Sequence, residues 1–565
     1  MRSIIWIGMI SLLWTSVSAS AQAVKGMVPE DAPARALTFN GLTPGADNHA
    51  KVRELLGEPE FESKWYSYKL YYPAKDRPGL YDVLHMGGKS PDAHLANIDA
   101  ASIPKGYETE SKIRAAMGEP EYELRMATWR MLDYTKEGLR FSITSDGNTT
   151  GVAYFPHTTT RVPAGERKLM DLSHLRQGPQ PAPAKKANWS GMKVGISEKV
   201  ISPQGEDWLP HRYKIHDDLK VRIAVFKNDD ESVAFVGADN FGMGWKDVNV
   251  MRDGAKALGV NHLIFGMSHN HATGDTIGVY GHYPTEYIAH IQSQVIASVK
   301  EALGDLEEIT ELRAASKELP MDGIRVQDLF RNARNPGVLD PTISLIQAIG
   351  KNGKVITTMV NFACHVESLE KGSREVSADF PGYMCDQITR DGGGLAVFLN
   401  GAVGGMVSGD NRARTHESAE EMGLQLASIV KEMVPTTQPM VENKFSVDQR
   451  LLQIPMTNPN FKERYESGIR SIYRGRITTD MIYVQLGDAQ FVTLPGELLP
   501  EVSFEILEQM DGFPRVLIGL ANDQIGYMVP PYDFRIDAYE ESVSQGPAAA
   551  TQVRDMAIRM LQGKH

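Results

Sequence analysis

The 565-residue sequence predicts a mixed α/β domain, α+β in detail, preceded by a small α+β repeat domain. Three observations lead there. Strand-like apolar runs alternate with helical stretches from Trp189 onward. A helix-then-strand pattern occurs twice before that point. A proline-alternating tract separates the two regions.

The chain starts with Arg2, an apolar run from Ile4 to Val17, and Ala21-Gln22-Ala23. Positive charge, a short apolar core and an A-x-A site predict a secretory signal over residues 1–23, cleaved before Val24. The run is shorter than the roughly 20 residues a spanning helix needs. No cysteine follows it to take a lipid, and no later segment reads as a transmembrane span. The mature chain is expected to be secreted or periplasmic.

Residues 24–171 form the small domain. One copy of the repeat begins at Lys51 and the other at Lys112. In each, a short helix ends at Gly57 or Gly118, Pro follows two residues later, and an aromatic-rich strand comes next. The module is similar to the helix-plus-sheet repeats of small envelope lipoproteins and β-lactamase-inhibitor-like domains. It is assigned a structural or partner-binding role and no catalysis; its partner is unknown. Residues 172–188, with Pro179, Pro181 and Pro183, read as an extended linker.

The main domain spans 189–565. Strands are expected over Leu219–Phe226 and Ser232–Ala238, a helix over Asp247–Leu258, a strand over His262–Met267 and a helix over Thr285–Leu303. Hairpin turns fall at Lys351–Lys354 and at Gly487-Asp488. Helices over Ala419–Met433 and Leu499–Met510 complete the pattern.

Hydrophobic content of 42% with 23% charged residues describes a soluble globular chain. A net charge of −12 excludes nucleic acid as a partner, because phosphate binding needs clustered Lys and Arg. The two cysteines, Cys364 and Cys385, are too few for a disulfide framework and read as buried thiols. No Gly-x-Ser-x-Gly elbow, phosphate-binding loop or paired Cys-x-x-Cys occurs, which disfavours serine-hydrolase and nucleotide chemistry.

Four short motifs carry the chemistry. Ser268-His269-Asn270-His271 follows the apolar strand ending at Met267, and side chains two apart on a strand share a face. His365 ends the β-rich run through Val360-Asn361-Phe362-Ala363-Cys364; Cys364 would point to the opposite face. Pro495-Gly496-Glu497 places a carboxylate after a strand, and Asn522 to Tyr527 forms a loop after another. Individually each has an ordinary explanation: a hydrogen-bonded His pair, a core His, a first-turn acid, a turn. Together they fall at strand ends, where α/β folds build sites.

From about Met192 to Val553 the chain resembles the neutral/alkaline (non-lysosomal) ceramidases. The motifs are Ser268–Gly274, Asn361–Ser368, Ser377-Ala378-Asp379 with Gly382-Tyr383, Pro495-Gly496-Glu497 and Asn522 to Glu540. The resemblance implies a zinc hydrolase domain with Zn2+ bound by His269, His365, Glu497 and Tyr527. It implies that His271, Tyr539 and Arg334 (or its rival Arg331) contact the amide group. The implied reaction is hydrolysis of the N-acyl bond of ceramide or a related lipid-like N-acyl substrate, with transient membrane-surface contact. The chain departs from the pattern at Ala272–Thr276 and at Gly404–Asp410, and it lacks the C-terminal immunoglobulin-like domain of longer members. The other readings are a zinc hydrolase of another N-acyl compound or ester, and a non-catalytic zinc-bound envelope protein.

Overall fold

A computed structural model describes residues 37–564, apart from 64–67, 157–168, 174–185, 205–207, 209–213, 279–282, 320–328, 333, 336, 370–374, 409–413, 467–469 and 535–537. The expected signal (1–23) and most of the proline tract lie outside the described residues. Two compact units divide the chain, one ending at Ser173 and also including 335–338, the other beginning at His174.

In the first unit, helices His49–Leu56 and Glu110–Met117 are built alike. Asn48 and Thr109 accept the backbone N–H of Lys51 and Lys112 as N-caps, and Gly57 and Gly118 both end their helices at φ +75°. Tyr72 and Tyr134 donate their hydroxyls to the Gly57 and Gly118 carbonyls at 3.0 and 2.8 Å. Each helix precedes four strands, and the two sets share one sheet. Its order places the fourth strand of the first set, Leu95–Ala100, against the fourth of the second, Thr149–Tyr154. Leu70, Leu84, Ile98, Leu132, Phe141 and Val152 fill the core.

Among the described residues of the second unit, three larger sheets share a design, beside several two-stranded pairings. The first includes β1 (Lys193–Val200), β2 (Lys220–Lys227), β3 (Ser232–Ala238) and β4 (His262–Met267), with helix α1 (Trp245–Ala257) between β3 and β4 and α2 (Thr285–Gly304) after them. The second includes β5 (Glu311–Glu318), β6 (Thr342–Ile349), β7 (Val355–Phe362) and β8 (Leu395–Asn400), with α3 (Asp379–Arg390) between β7 and β8 and α4 (His416–Met433) after them. The third is β9 (Phe445–Pro455), β10 (Arg476–Leu486), β11 (Ala489–Thr493) and β12 (Arg515–Ile518), with α5 (Pro500–Leu507) between β11 and β12 and α6 (Ala548–Leu561) near the end. These ranges match the expected elements to within a few residues, except that α4 starts three residues earlier and α5 is shorter than expected.

Most pairings are antiparallel, but each sheet ends in one parallel pair joined through a helix: β3 with β4, β7 with β8, and β11 with β12. A parallel pair needs such a crossover because its strands run the same way. The sheets share a core that includes Phe226, Phe235, Ile264, Met359, Val397 and Phe491. Helices α1 and α2 cover the other face of the first sheet through Met251, Ile291 and Val295. Helices α5 and α6 pack on the third through Val502, Ile506 and Val553. No helix among the described residues is long and apolar enough to cross a membrane.

Candidate metal centre

The three parallel pairs account for the site. Each of their six strands is followed by a residue of the candidate centre, within a few positions for Phe241, His269, His365 and Glu497 and after a longer loop for Met406 and Tyr527. From the first sheet come Phe241 after β3 and His269 with His271 after β4. The second supplies His365 after β7 and Met406 after β8, and the third Glu497 after β11 and Tyr527 after β12.

His269 and His271 do face one region, their rings 4.8 Å apart, but not because they continue a strand. β4 ends at Met267, and His269 adopts a left-handed φ of +62°. That conformation costs a non-glycine residue roughly 1–2 kcal/mol and persists only where surroundings impose it. Here they do. The His269 ring stacks on Phe241 at 4.9 Å, and its Nδ1 donates to the Phe241 carbonyl at 2.8 Å.

His365 is fully buried and donates Nδ1 to the Met406 carbonyl at 2.7 Å. Its Nε2 lies 3.0 Å from Glu497 Oε2 and 3.1 Å from the Tyr527 hydroxyl. His269 Nε2 lies 3.5 Å from the same carboxylate oxygen. The other Glu497 oxygen accepts from Gln524 Nε2 at 2.8 Å. Burial would raise the Glu497 carboxyl, but His269 and His365 outweigh it and hold the group well below the usual carboxylate range. Burial would lower His365, and Glu497 reverses that so the imidazole is raised.

Tautomers follow from these partners. A carbonyl only accepts, so both Nδ1 atoms carry a proton, and in both rings the other nitrogen, Nε2, faces the Glu497 oxygen. Two imidazole nitrogens meeting one carboxylate oxygen in a buried space are reconciled by a shared cation or by protons on Nε2. This donor set of imidazole, carboxylate and phenol suits zinc. The carbonyls of Phe241 and Met406 orient its histidines. The ring nitrogens of His269, His271 and His365 also lie within 4.8 Å of one another, a trio open to metal.

The remaining expected residues lie nearby or on bracing segments. Tyr539 is 53% exposed, with its ring 5.9 Å from buried Tyr527. Arg334 is buried and committed within the chain. Its Nε bonds Asp533 at 3.2 Å, Nη1 bonds Glu540 at 2.9 Å and Glu541 at 3.0 Å, and Nη2 bonds the Asp533 carbonyl and Glu541 at 2.6 Å. Arg331 is buried on the strand Phe330–Asn332, opposite Val407. Cys364 and Cys385 are buried free thiols, and Cys364 Sγ lies 3.2 Å from its neighbour's carbonyl oxygen.

Sequence reasoning did not single out Phe241, Met406 or Gln524. The first two act through backbone carbonyls, which carry no residue signature. Gln524 sat in a loop whose Asn-Asp read as turn chemistry. The strand-end signal reaches Phe241 too, since Asp239-Asn240-Phe241 directly follows β3.

No protein-family model and no curated sequence matches the chain. Among solved structures it is similar to the neutral ceramidase from Pseudomonas aeruginosa, with a TM-score of 0.55 and 15% identity over 68% of this chain and 75% of that one. It is also similar to a ceramidase complexed with C2, at TM-score 0.54 and 16% identity over 66% of this chain and 76% of that one. The likeness shows a ceramidase-like mixed α/β fold.

Proposed function

We propose that the chain is a zinc-dependent amide hydrolase that cleaves N-acyl bonds, with ceramide or a related N-acyl lipid as substrate. The observation that carries this reading is the convergence of the His269 and His365 Nε2 atoms on one Glu497 oxygen, beside the Tyr527 hydroxyl. The ceramidase-like fold supports the substrate class. His269, His365, Glu497 and Tyr527 would hold the ion. When bound, zinc supplies Lewis-acid polarisation of the acyl carbonyl and acidifies a water.

The chain's own groups do the rest. Glu497 balances the ion's charge and is held in place by Gln524. His271, whose ring is 5.8 Å from that of His365, moves a proton between water and the leaving amine. Tyr539, exposed beside Tyr527, donates a hydrogen bond to the developing oxyanion. Arg334 has its nitrogens committed to Asp533, Glu540 and Glu541, so in this reading it positions the Tyr539 segment instead of touching the acyl group. Export through a signal over residues 1–23 places the enzyme in a periplasm or outside the cell.

The test is hydrolysis of a detergent-dispersed fluorescent N-acylsphingosine, an N-acyl amino acid and a short ester, each with and without chelator. Amide cleavage abolished by chelation and restored by zinc is expected. Activity that survives chelation, or that is unchanged in His365→Ala, sinks the mechanism. Zinc binding with silence on all three substrates indicates the non-catalytic reading.

A further inference from the structure

A second group of metal-capable side chains gathers three distant segments of the same unit. His216 follows the two-residue strand Lys214–Ile215. That strand pairs in parallel with Glu375–Val376 in the register Lys214 to Glu375. His416 is the first residue of α4, whose N-cap Thr415 accepts the Ser418 N–H. The two imidazoles stack face to face, with centroids 3.5 Å apart and planes 5° from parallel.

Each ring is held by its own carboxylate. His216 Nδ1 lies 2.8 Å from Asp217 Oδ2, and His416 Nε2 lies 2.8 Å from Glu375 Oε2. Asp217 is itself fixed, its Oδ1 accepting the Ala378 N–H at 2.7 Å. The second nitrogen of His416, Nδ1, is buried and has no hydrogen-bond partner among the described residues. His216, Asp217 and His416 each offer a ligand atom, and these lie within 4.8 Å of one another.

We propose that His216, Asp217 and His416 form a second divalent transition-metal site, separate from the Glu497 centre, with Glu375 as the partner that orients His416. A neutral imidazole bonds a carboxylate through its N–H and keeps a lone pair on its other nitrogen. His416 Nε2 faces the Glu375 carboxylate, which accepts its N–H, and this leaves Nδ1 as the ring nitrogen without a hydrogen-bond partner among the described residues. The carboxylate–imidazole arrangement is the one that fixes tautomer and raises basicity in metal-binding histidines. Imidazole nitrogens select zinc, copper or nickel over calcium and magnesium. Zinc–nitrogen bonds near 2.0–2.1 Å place ligand atoms about 3.3 Å apart, and imidazole lone pairs lie in the ring planes, so binding requires the exposed His216 ring to turn out of the stack towards His416 Nδ1. Solvent completes the shell at the exposed His216 side.

The site has a structural consequence. Val376 leads into Ser377, whose N–H donates to the Ala272 carbonyl at 3.1 Å and whose carbonyl accepts from Asn270 Nδ2 at 2.7 Å. These two residues flank His271. A metal joining His216 to His416 fastens the strand that supports the His-x-His segment.

The test is equilibrium dialysis of the full-length protein against Zn2+, with bound metal measured by mass spectrometry. The parent, His365→Ala and the double variant His216→Ala/His416→Ala are compared. The double variant is expected to lose one equivalent that His365→Ala retains. Glu375→Gln weakens the same equivalent about 10–100-fold. A folded double variant with the parent's stoichiometry overturns the proposal. If that variant fails to fold, Glu375→Gln and anomalous scattering at the zinc edge from zinc-soaked parent crystals decide. An unchanged affinity, or no peak within bonding distance of His416 Nδ1, also overturns it.

Discussion

Glu497 and Tyr527 face each other as register partners in a two-residue parallel bridge, although they leave the ends of different strands. The pairing of Glu497–Leu498 with Tyr527–Met528 fixes the carboxylate and phenol relative to each other through the backbone. Their side chains then meet His365 without depending on a single loop conformation.

Gln524 lies in the loop that leads to this bridge and holds Glu497 Oε1. Gln524→Leu keeps most of the volume and removes the donor. Zinc affinity, measured by chelator competition, should fall about 10–100-fold, as for other partners of metal ligands. The thermal midpoint of the zinc-free protein should change little by comparison.

Gly526 makes the bridge possible. Its φ is +88°, and a Cβ there would sit 1.9 Å from the Val543 carbonyl oxygen, a backbone atom with no side-chain freedom. Gly526→Ala should cost about 3 kcal/mol or more, combining strain at positive φ with displaced backbone. Urea denaturation of the zinc-free variant checks this, and a loss below about 1 kcal/mol contradicts the geometry.

Asp379 opens α3 fully buried, and burial pushes its carboxyl up to about 6 despite hydrogen bonds from the Phe380 backbone and its neighbours. Its folded value exceeds its unfolded one, near 3.9, so the folded state holds the extra proton between them. This contribution is therefore fully present below about pH 4 and is lost as pH rises through 6. Asp379→Asn, at a φ of +55° that Asn tolerates, removes the charge. It should stabilise the protein at pH 7 by roughly 2–3 kcal/mol and flatten the dependence between pH 4 and 6. Urea midpoints across that range provide the measurement.

Cys385 is buried, and burial pushes its thiol up to about 12; Cys364 is raised well above its ordinary value for the same reason. Native protein should therefore give no reaction with a thiol reagent near neutral pH, and denatured protein should give two equivalents without reductant. Fewer than two would reveal a disulfide.

Parts of the larger unit could be read from apolar periodicity, because strands such as β3 and β4 are short, buried and bounded by turn residues. The expected range of β3 is the observed one, as is that of β4. His365 and Glu497, which meet at 3.0 Å in the structure, both follow expected strands, and strand ends are where such folds place chemistry. Other features depend on residues distant in sequence. The left-handed backbone of His269 is imposed by Phe241, and the Met406 carbonyl meets His365 only after two sheets come together. The stacked rings of His216 and His416 belong to segments 200 positions apart, and in the sequence each is a lone histidine. The shared parallel-pair design of the three sheets was equally hidden, since periodicity does not reveal which strands pair.

The six strand ends also set an order of assembly. His365 and Tyr527 stand 162 positions apart. As synthesis proceeds from the N-terminus, the first two sheets can form with their histidines in place while the third is still absent. In the proposed function the set of His269, His365, Glu497 and Tyr527 is complete only when β11 and β12 pair and bring Glu497 and Tyr527 together. Metal capture is then tied to the final stage of folding, and a chain ending before β11 presents two of the four side chains.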